Sequence, residues 1–530
     1  MNFKYIRNIV PAAAFALTMG LSSCDFLDVE PLDPSNVSTV DEAGLYAKCY
    51  ANMALAGNGG ANGDCDIDGL DGGTTGFVRQ LWNANELTTD EAICAWGDTG
   101  IPAFNYNQWD ASHPMLQGFY YRLYAGINYC NHYLDVCKDV NETRQAEVRF
   151  LRALYYYYLM DCFGNVPFTT ELSAESPQQI KRADLFTWIE SELKDVEDKL
   201  LEPKARKSTD EGYGRADKDA AYLLRARMYL NAEVYTGKAQ WQNAKDYAKK
   251  VIDGPHKIWK QGKNGFSAYQ MLFMGDNGEN GASQEAILPL LQDGKTTTSW
   301  GTTLFLMAAC WKADMDTEGN YNTTEFWAGN RARAAFVAKF FPNGDAPAVS
   351  LSDMPIVAGD DRALLFGIDR ELVVTNPNEY TSGYAVGKFR NTYTTGTTGH
   401  STQFIDTDFF LMRSAEAYLI FAEADARLNN GQTSQEGTDY INELRTRANT
   451  TTYPQYSVNQ ILDERARELY HEGFRRTDLI RYNLFHTADY VWEWKGGAQN
   501  GSSFSADRDI FAIPAEDINA NPNLTQNPGY

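Results

Sequence analysis

Three stretches of this chain open in nearly the same words: Leu151-Arg152-Ala153, Leu224-Arg225-Ala226 and Met412-Arg413-Ser414-Ala415, each followed about a turn later by Tyr156, Tyr229 or Tyr418. A large apolar residue, an arginine and a small residue ahead of a tyrosine mark one helix face as apolar and leave room for a partner helix to come close. The surrounding periodicity agrees. From Asn141 to Phe163, Val148, Leu151, Tyr155, Tyr158 and Cys162 recur at steps of three and four, and Gly164 and Pro167 end the run. A second helix is predicted from about Asp217 to Tyr235, with a turn at Thr236-Gly237-Lys238 and a partner from Trp241 to Ile252 that stops before Gly254-Pro255. A third pair covers Phe409 to Leu428 and Gln435 to Ala448, joined at Asn430-Gly431. Helical hairpins therefore recur, and the chain reads as mainly α.

Such units resemble tetratricopeptide repeats, in which stacked helix pairs bury a shared seam. Their spacing here is irregular, because Lys257 to Thr407 intervenes, rich in Gly, Thr and isolated aromatics. Turns and short irregular helices are expected there. The predicted architecture is a tetratricopeptide-like helical repeat scaffold with helix pairs at about 141–255 and 408–485. A large loop-rich insertion at about 257–407 carries the binding face, all within one domain over 39–530.

The N-terminal end reads as an address rather than as part of the fold. Lys4 and Arg7 precede an apolar run from Ile9 to Leu21, which closes on Leu21-Ser22-Ser23-Cys24. This is an export signal over residues 1–23 ending at a cysteine ready for lipid attachment. Acyl chains on Cys24 would anchor the chain without a spanning helix, and a short tether over 24–38, with Pro31 and Pro34, would lead to a helix starting near Thr39 to Asp41. No later apolar run approaches the roughly 18 residues a spanning helix needs. The glycine-dense stretch Gly57 to Gly76 reads as loop. Its Asp64-Cys65-Asp66-Ile67-Asp68-Gly69 opens like a calcium loop, but the twelfth position is Thr75 rather than glutamate, which favours a solvated turn.

A net charge of −23 over 530 residues argues against nucleic acid and polyanionic ligands, and leaves neutral or cationic ones. With Cys24 lipidated, an odd seven cysteines remain, without a Cys-x-x-Cys pair, so buried free thiols are expected. The histidines form no metal-binding motif, and there is no nucleophile elbow, phosphate loop or dinucleotide fingerprint. The acidic clusters Asp360-Asp361-Arg362 and Asp406-Thr407-Asp408 read as caps, turns or a metal-binding loop rather than as a catalytic pair. No enzymatic activity is predicted. The aromatic share, 13%, is high, and Trp82, Trp96, Trp109, Trp300, Trp311 and Trp327 fall mostly outside the regular helices. An indole held in a loop can plug a gap in the core, or it can stack on the apolar face of a sugar; position alone does not choose.

Two motifs carry a family likeness. The closing segment from Ile513-Pro514-Ala515-Glu516-Asp517 to Gln526-Asn527-Pro528-Gly529-Tyr530 resembles the C-terminal signature of the RagB/SusD family. Glu464-Arg465-Ala466-Arg467-Glu468-Leu469-Tyr470, followed by Glu472-Gly473-Phe474-Arg475-Arg476-Thr477-Asp478-Leu479-Ile480-Arg481, resembles its hallmark helix. The likeness runs the length of the chain and is nearest to the family's starch-binding member. It implies a surface-exposed outer-membrane lipoprotein on a tetratricopeptide-like scaffold, which captures starch or malto-oligosaccharide and passes it to a SusC-like TonB-dependent transporter. It also implies an arc of aromatic rings: Trp96, Trp300 and Trp327 fall at or beside matching positions, Cys94 stands where a further ring would be, and Arg79 matches a hydrogen-bonding arginine, with Asp98 in the polar stretch beyond. No cofactor is required; a structural calcium at Asp276 and Asp408 is implied by the segments they share with the family. A relative tuned to another polysaccharide, or a scaffold that mainly holds its transporter, are the alternative readings.

Overall fold

Side-chain caps set where several of the helices begin. Asn141 accepts from the Arg144 N–H at 3.0 Å, Asp217 accepts from the N–H groups of Asp219 and Ala220, and Ser434 and Ser457 do the same for the helices they precede. Each cap satisfies an N–H that the helix itself leaves without a partner. The computed structural model describes residues 40–138, 140–313, 315 and 322–530. Cys24, the signal and the tether expected over 24–38 lie outside the described residues. Met1–Gly44 and Leu45–Tyr530 are separate units, and within the described part of the first, Asp41 accepts from the Gly44 N–H.

In chain order the helices that build the larger unit are α1 (Glu42–Ala51, from Leu45 on), α2 (Phe77–Trp82), α3 (Pro114–Val136), α4 (Glu142–Phe163), α5 (Arg182–Val196), α6 (Lys218–Leu230), α7 (Trp241–Asp253), α8 (Ser414–Leu428), α9 (Gln435–Arg447), α10 (Val458–Leu469) and α11 (Arg475–Arg481). Neighbours pack in series: α3 on α4, α4 on α5, α6 on α7, α7 on α8, and α8 on α9 and α10. This is the stacked-pair arrangement of a repeat scaffold. Small residues let the helices approach. At Gly126 of α3 a Cβ would stand 2.3 Å from the Tyr155 ring of α4, so that crossing demands glycine. Ala220, Ala244 and Ala248 are fully buried between α6 and α7. The helix expected to run on to Tyr235 instead breaks at Asn231 into a short turn of helix, Ala232–Thr236.

Among the described residues, strands occur only as antiparallel pairs: β1 (Ala92–Cys94), β2 (Val166–Phe168), β3 (Gln178–Ile180), β4 (Ala286–Leu290), β5 (Asn330–Ala332), β6 (Leu365–Phe366), β7 (Ala385–Val386) and β8 (Phe409–Arg413), joined as β1·β5, β2·β3, β4·β8 and β6·β7. Here the structure corrects one expectation. Phe409 to Arg413 forms strand β8 on β4, and the helix starts only at Ser414. All five of these residues are buried, and a short, continuously apolar run looks the same in sequence whether it becomes a core strand or a core helix.

The hallmark segment is explained by charge. Arg413 reaches Glu285, Glu468 and Glu472, each at 2.7 Å, and Arg362 reaches Asp360 and Glu464 at 2.7 Å and Glu468 at 3.2 Å. Arg445 and Arg447 close on Glu464 and Glu468. Burial alone would push the Glu468 carboxyl up, but Arg447, Arg413 and Arg362 hold it down at about 2. A buried carboxylate persists only when paired in this way. The closing segment works as a staple: Asn527 donates to the carbonyls of Phe163 and Phe511, and Tyr530 accepts from the Trp109 indole at 2.7 Å. Asp66, in the loop that opens like a calcium site, is instead the counter-ion of Arg122 at 2.6 Å and Lys48 at 2.9 Å.

Candidate functional site

The six tryptophans expected mostly outside the helices divide into two groups, with Trp82 closing α2 rather than standing in a loop. Trp82, Trp109 and Trp311 are 1–2% exposed and fill the core. Trp96, Trp300 and Trp327 are half-buried and stand together. The pairing of β1 with β5 brings the first and last of these into contact, because Trp96 leaves β1 as Trp327 approaches β5. The Trp96 indole donates to the Trp327 carbonyl at 3.0 Å, and the Ala95 N–H donates to the Gly329 carbonyl at 2.9 Å. At Gly329 a Cβ would stand 2.3 Å from the Trp96 ring, so no side chain fits beneath that indole. Trp300 ends a loop organised by Asp293, whose carboxylate accepts from the N–H groups of Lys295, Thr296 and Thr297. A Cβ on Gly73 would lie 3.2 Å from its own Cβ.

The three indoles form a row. Trp96 and Trp327 have ring centroids 6.5 Å apart at 50°, Trp327 and Trp300 are 6.1 Å apart at 48°, and Phe404 extends the row from Trp300 at 4.8 Å and 55°. Each ring is tilted about as much against the next, so the surface they offer is bent rather than flat. Behind it, the Arg79 guanidinium lies 5.6 Å from the Trp96 ring and 4.8 Å from the Phe305 ring. Arg79 is only 7% exposed and donates to the Gly73 carbonyl at 3.2 Å. It backs Trp96 from inside the fold as a cation against a π face, and burial lowers its basicity. Beside the row, Glu325 accepts from the Trp327 indole at 2.9 Å with one oxygen and from Gln403 at 3.4 Å with the other. Thr324 donates its N–H to the Thr402 carbonyl at 2.7 Å, tying the loop of Trp327 to the loop of Phe404.

Cys94 is fully buried in β1, and burial pushes its thiol up to about 12, so that position adds neither a ring nor a reactive sulfur to the row. Asp98 is exposed on the loop after Trp96. Sequence reading missed Phe404 and Glu325. Phe404 is one isolated phenylalanine in a polar loop and carries no signal of its own, whereas Glu325 stands two residues before a candidate ring and could have been found from that spacing.

Asp276 and Asp408 meet elsewhere, in a cavity of about 330 Å³ that Asp293, Asp406, Glu279 and His400 also line. Asp276 accepts from the N–H of Thr394 at 3.1 Å and from its hydroxyl; Asp408 accepts from the Gln292 N–H at 2.8 Å and the Tyr213 hydroxyl at 2.7 Å. Burial pushes Asp408 up to about 7, and repulsion from Asp406 and Asp293 adds to it. Among the described residues, no three His, Cys, Asp or Glu side chains close on a single point as a metal site would require. The lining is oxygen-rich and anionic, which is calcium's preference rather than a transition metal's.

Helix pairs stacked in series under a loop-borne row of indoles define a helical scaffold that presents an aromatic surface. Residues 228–530 match the family model described as the SusD family, and residues 25–230 match the one described as starch-binding, associating with the outer membrane. The chain is 39% identical to the starch-binding protein SusD of Bacteroides thetaiotaomicron, covering 100% of both chains. It belongs to the SusD family. The fold is shared with a solved SusD superfamily protein from Parabacteroides distasonis, at a TM-score of 0.66 and 19% identity over 92% of this chain and 98% of that one. It is shared too with surface glycan-binding protein A of Bacteroides thetaiotaomicron, solved in complex with laminarihexaose, at a TM-score of 0.65 and 17% identity over 92% and 98%.

Proposed function

We propose that this protein captures starch or malto-oligosaccharides at the outer membrane and hands them to a SusC-like TonB-dependent transporter, held there by lipid on Cys24. The observation that carries this reading is the bent, half-exposed row of Trp96, Trp327 and Trp300. The axial C–H groups of a pyranose meet the negative face of an indole, and a ring row tilted step by step follows a curved α-1,4-glucan better than a flat β-1,4 chain. The glycan is bound through ring faces, while Glu325, beside the Trp327 indole, and the exposed Asp98, two residues after Trp96, are the proposed acceptors of its hydroxyl hydrogens. Arg79 acts chiefly by holding Trp96 in place. The full-length identity to a starch-binding relative supports the ligand class, and the family description supports the outer-membrane site. Nothing in this arrangement calls for bond cleavage, and no reducing-sugar release from starch is expected.

Native gels containing amylopectin test the reading: wild type is retarded, and Trp300→Ala with Trp327→Ala is not. Unchanged retardation of the double variant would refute the platform. A second reading, the same role for another polysaccharide, is favoured by Cys94, because the row lacks a ring there. A glycan array that lights up with β-glucan or fructan instead of α-glucan decides for it. Calcium is proposed as an accessory to the fold only, held by Asp276 and Asp408. At about 1 mM it should raise the thermal midpoint, and Asp408→Asn should abolish the rise.

A further inference from the structure

Trp96 and Trp327 flank the β1·β5 pair and take their places from it, whereas Trp300 depends on the loop that carries it. That loop is closed at its base, where the Thr302 hydroxyl donates to the Gln292 side chain at 3.1 Å. Inside it the Asp293 carboxylate accepts from the N–H groups of Lys295 at 2.9 Å, Thr296 at 2.8 Å and Thr297 at 2.9 Å, from the Thr297 hydroxyl at 3.0 Å and from the Thr296 hydroxyl. The Asp293 N–H donates in turn to the Thr297 hydroxyl oxygen at 2.7 Å, so residues 293–297 wrap around one carboxylate. Successive backbone N–H groups aimed at one point favour a negative charge there. Burial alone would push this carboxyl up, but the Thr296 hydroxyl and the three N–H groups hold it well below the usual carboxylate range. The rest of the loop is tied as well. The Ala61 N–H donates to the Thr298 hydroxyl at 3.3 Å, the Gly301 N–H to the Ser299 hydroxyl at 3.2 Å, and the Arg79 N–H to the Gly301 carbonyl at 3.0 Å. At Gly294, where φ is 63°, a Cβ would stand 2.7 Å from the Phe404 carbonyl, so the turn made by Asp293 sits directly against the loop at the end of the row.

We propose that Asp293 is a positioning residue for glycan capture, which sets Trp300 at the tilt the row requires before the ligand arrives. The inference rests on the reading of the row as the glycan platform. Asp293 lines the cavity of Asp276 and Asp408 and spends its carboxylate on the loop, so it acts on a sugar only through Trp300. A loop ordered beforehand loses no further freedom when the sugar binds, and that is the gain from preorganisation. Without the carboxylate, Lys295, Thr296 and Thr297 lose their shared acceptor and the loop takes up other conformers. Only the fraction that still presents Trp300 in register binds at full strength, and the apparent affinity falls by that fraction.

The experiment is a double-mutant cycle read by calorimetry with maltoheptaose, in excess chelator so that calcium plays no part. Wild type, Asp293→Ala, Trp300→Ala and the double variant are compared. Asp293→Ala should weaken binding about three- to tenfold when Trp300 is present and less than about twofold when it is not, the pattern expected of two coupled residues. Asp293→Asn keeps an oxygen for the three N–H groups and should recover most of the affinity. Thr297→Val, which removes one hydroxyl from the turn and leaves the carboxylate, is the milder second variant and keeps the test open if Asp293→Ala does not fold. Its loss should be smaller and should likewise vanish without Trp300. Wild-type affinity in both Asp293→Ala and Thr297→Val, or an equal loss with and without Trp300, overturns the proposal. Wild-type affinity in Trp300→Ala alone instead refutes the platform, so the two failures are told apart.

Discussion

The aromatic row and the arginine–carboxylate lattice around α10 are both dense clusters of adhesive side chains, and they differ in what they leave unspent. In the lattice every carboxylate named is met by at least one guanidinium, water is excluded, and no valence faces outward. In the row, each indole N–H of Trp96 and Trp327 is engaged by the protein, yet the rings remain half-exposed. Those edges are fixed while part of each ring stays exposed. A cluster whose carboxylates are all paired internally holds a fold together; one whose orientation is fixed while part of each ring stays exposed is prepared for a ligand.

The largest effect that separates the two should come from the lattice. Glu468→Ala leaves Arg413 and Arg447 without their shared carboxylate, and breaking a buried pair from one side costs about 3–5 kcal/mol. Urea titration should show that loss, while the folded fraction keeps its starch affinity; a lost affinity with unchanged stability would reverse the roles assigned to the two regions. Next comes the row. Trp300→Ala and Trp327→Ala together remove two anchors at roughly 2 kcal/mol each, so calorimetry with maltoheptaose should record weakening of about a hundredfold or more, with a thermal midpoint close to wild type.

The dependence on pH sharpens the contrast within the core itself. Glu468 and Glu423 are held at about 2 in the folded chain, below their unfolded value of roughly 4. Their contribution is complete above about 4 and is lost as pH falls through 2. Glu86 and Glu91 behave oppositely. Burial pushes Glu86 up to about 7, and burial with repulsion from Glu86 raises Glu91 well above the usual carboxylate range. The contribution of Glu86 is complete below about 4 and is lost as pH rises through 7, and that of Glu91 is likewise lost as pH rises. Glu91→Gln should therefore stabilise the protein at pH 8 by roughly 1–3 kcal/mol relative to wild type and change little at pH 4, as measured by denaturant midpoints. An equal effect at both values would show that the pair carries no excess proton. Smallest of all is the response to salt: starch affinity should change less than about twofold between 0.05 and 0.5 M sodium chloride, since stacking on a neutral sugar involves no counter-ions. A steep fall would put charge, and not ring faces, in command of the site.

Much of the scaffold was legible because helix signals are local. Asn141, Asp217 and Gly164 mark helix ends by their own chemistry, and the three-four spacing of Val148, Leu151 and Tyr155 states which face is buried whatever the neighbours are. The start of the helix at Ser414 was not legible, because Phe409 to Met412 becomes a strand only through the presence of Ala286–Leu290 beside it. The same holds within the site. Trp82 and Trp96 are equally aromatic and both near a helix end or a strand, yet one is 2% exposed and the other only partly buried; periodicity does not separate them, and in the sequence only the family likeness around Trp96 did.

Sequence alone therefore determined the helical hairpins, the family hallmarks and the stock of candidate rings, since each is written in residues a few positions apart. The family likeness had singled out Trp96, Trp300, Trp327 and Arg79; only the tertiary structure decided that the three indoles stand in one row, that Arg79 lies behind it and that Phe404 and Glu325 border it. Those relations join Gly73, Trp96, Trp300, Trp327 and Phe404, residues far apart in the chain, and such contacts are set by how the loops close over the scaffold and not by any local preference.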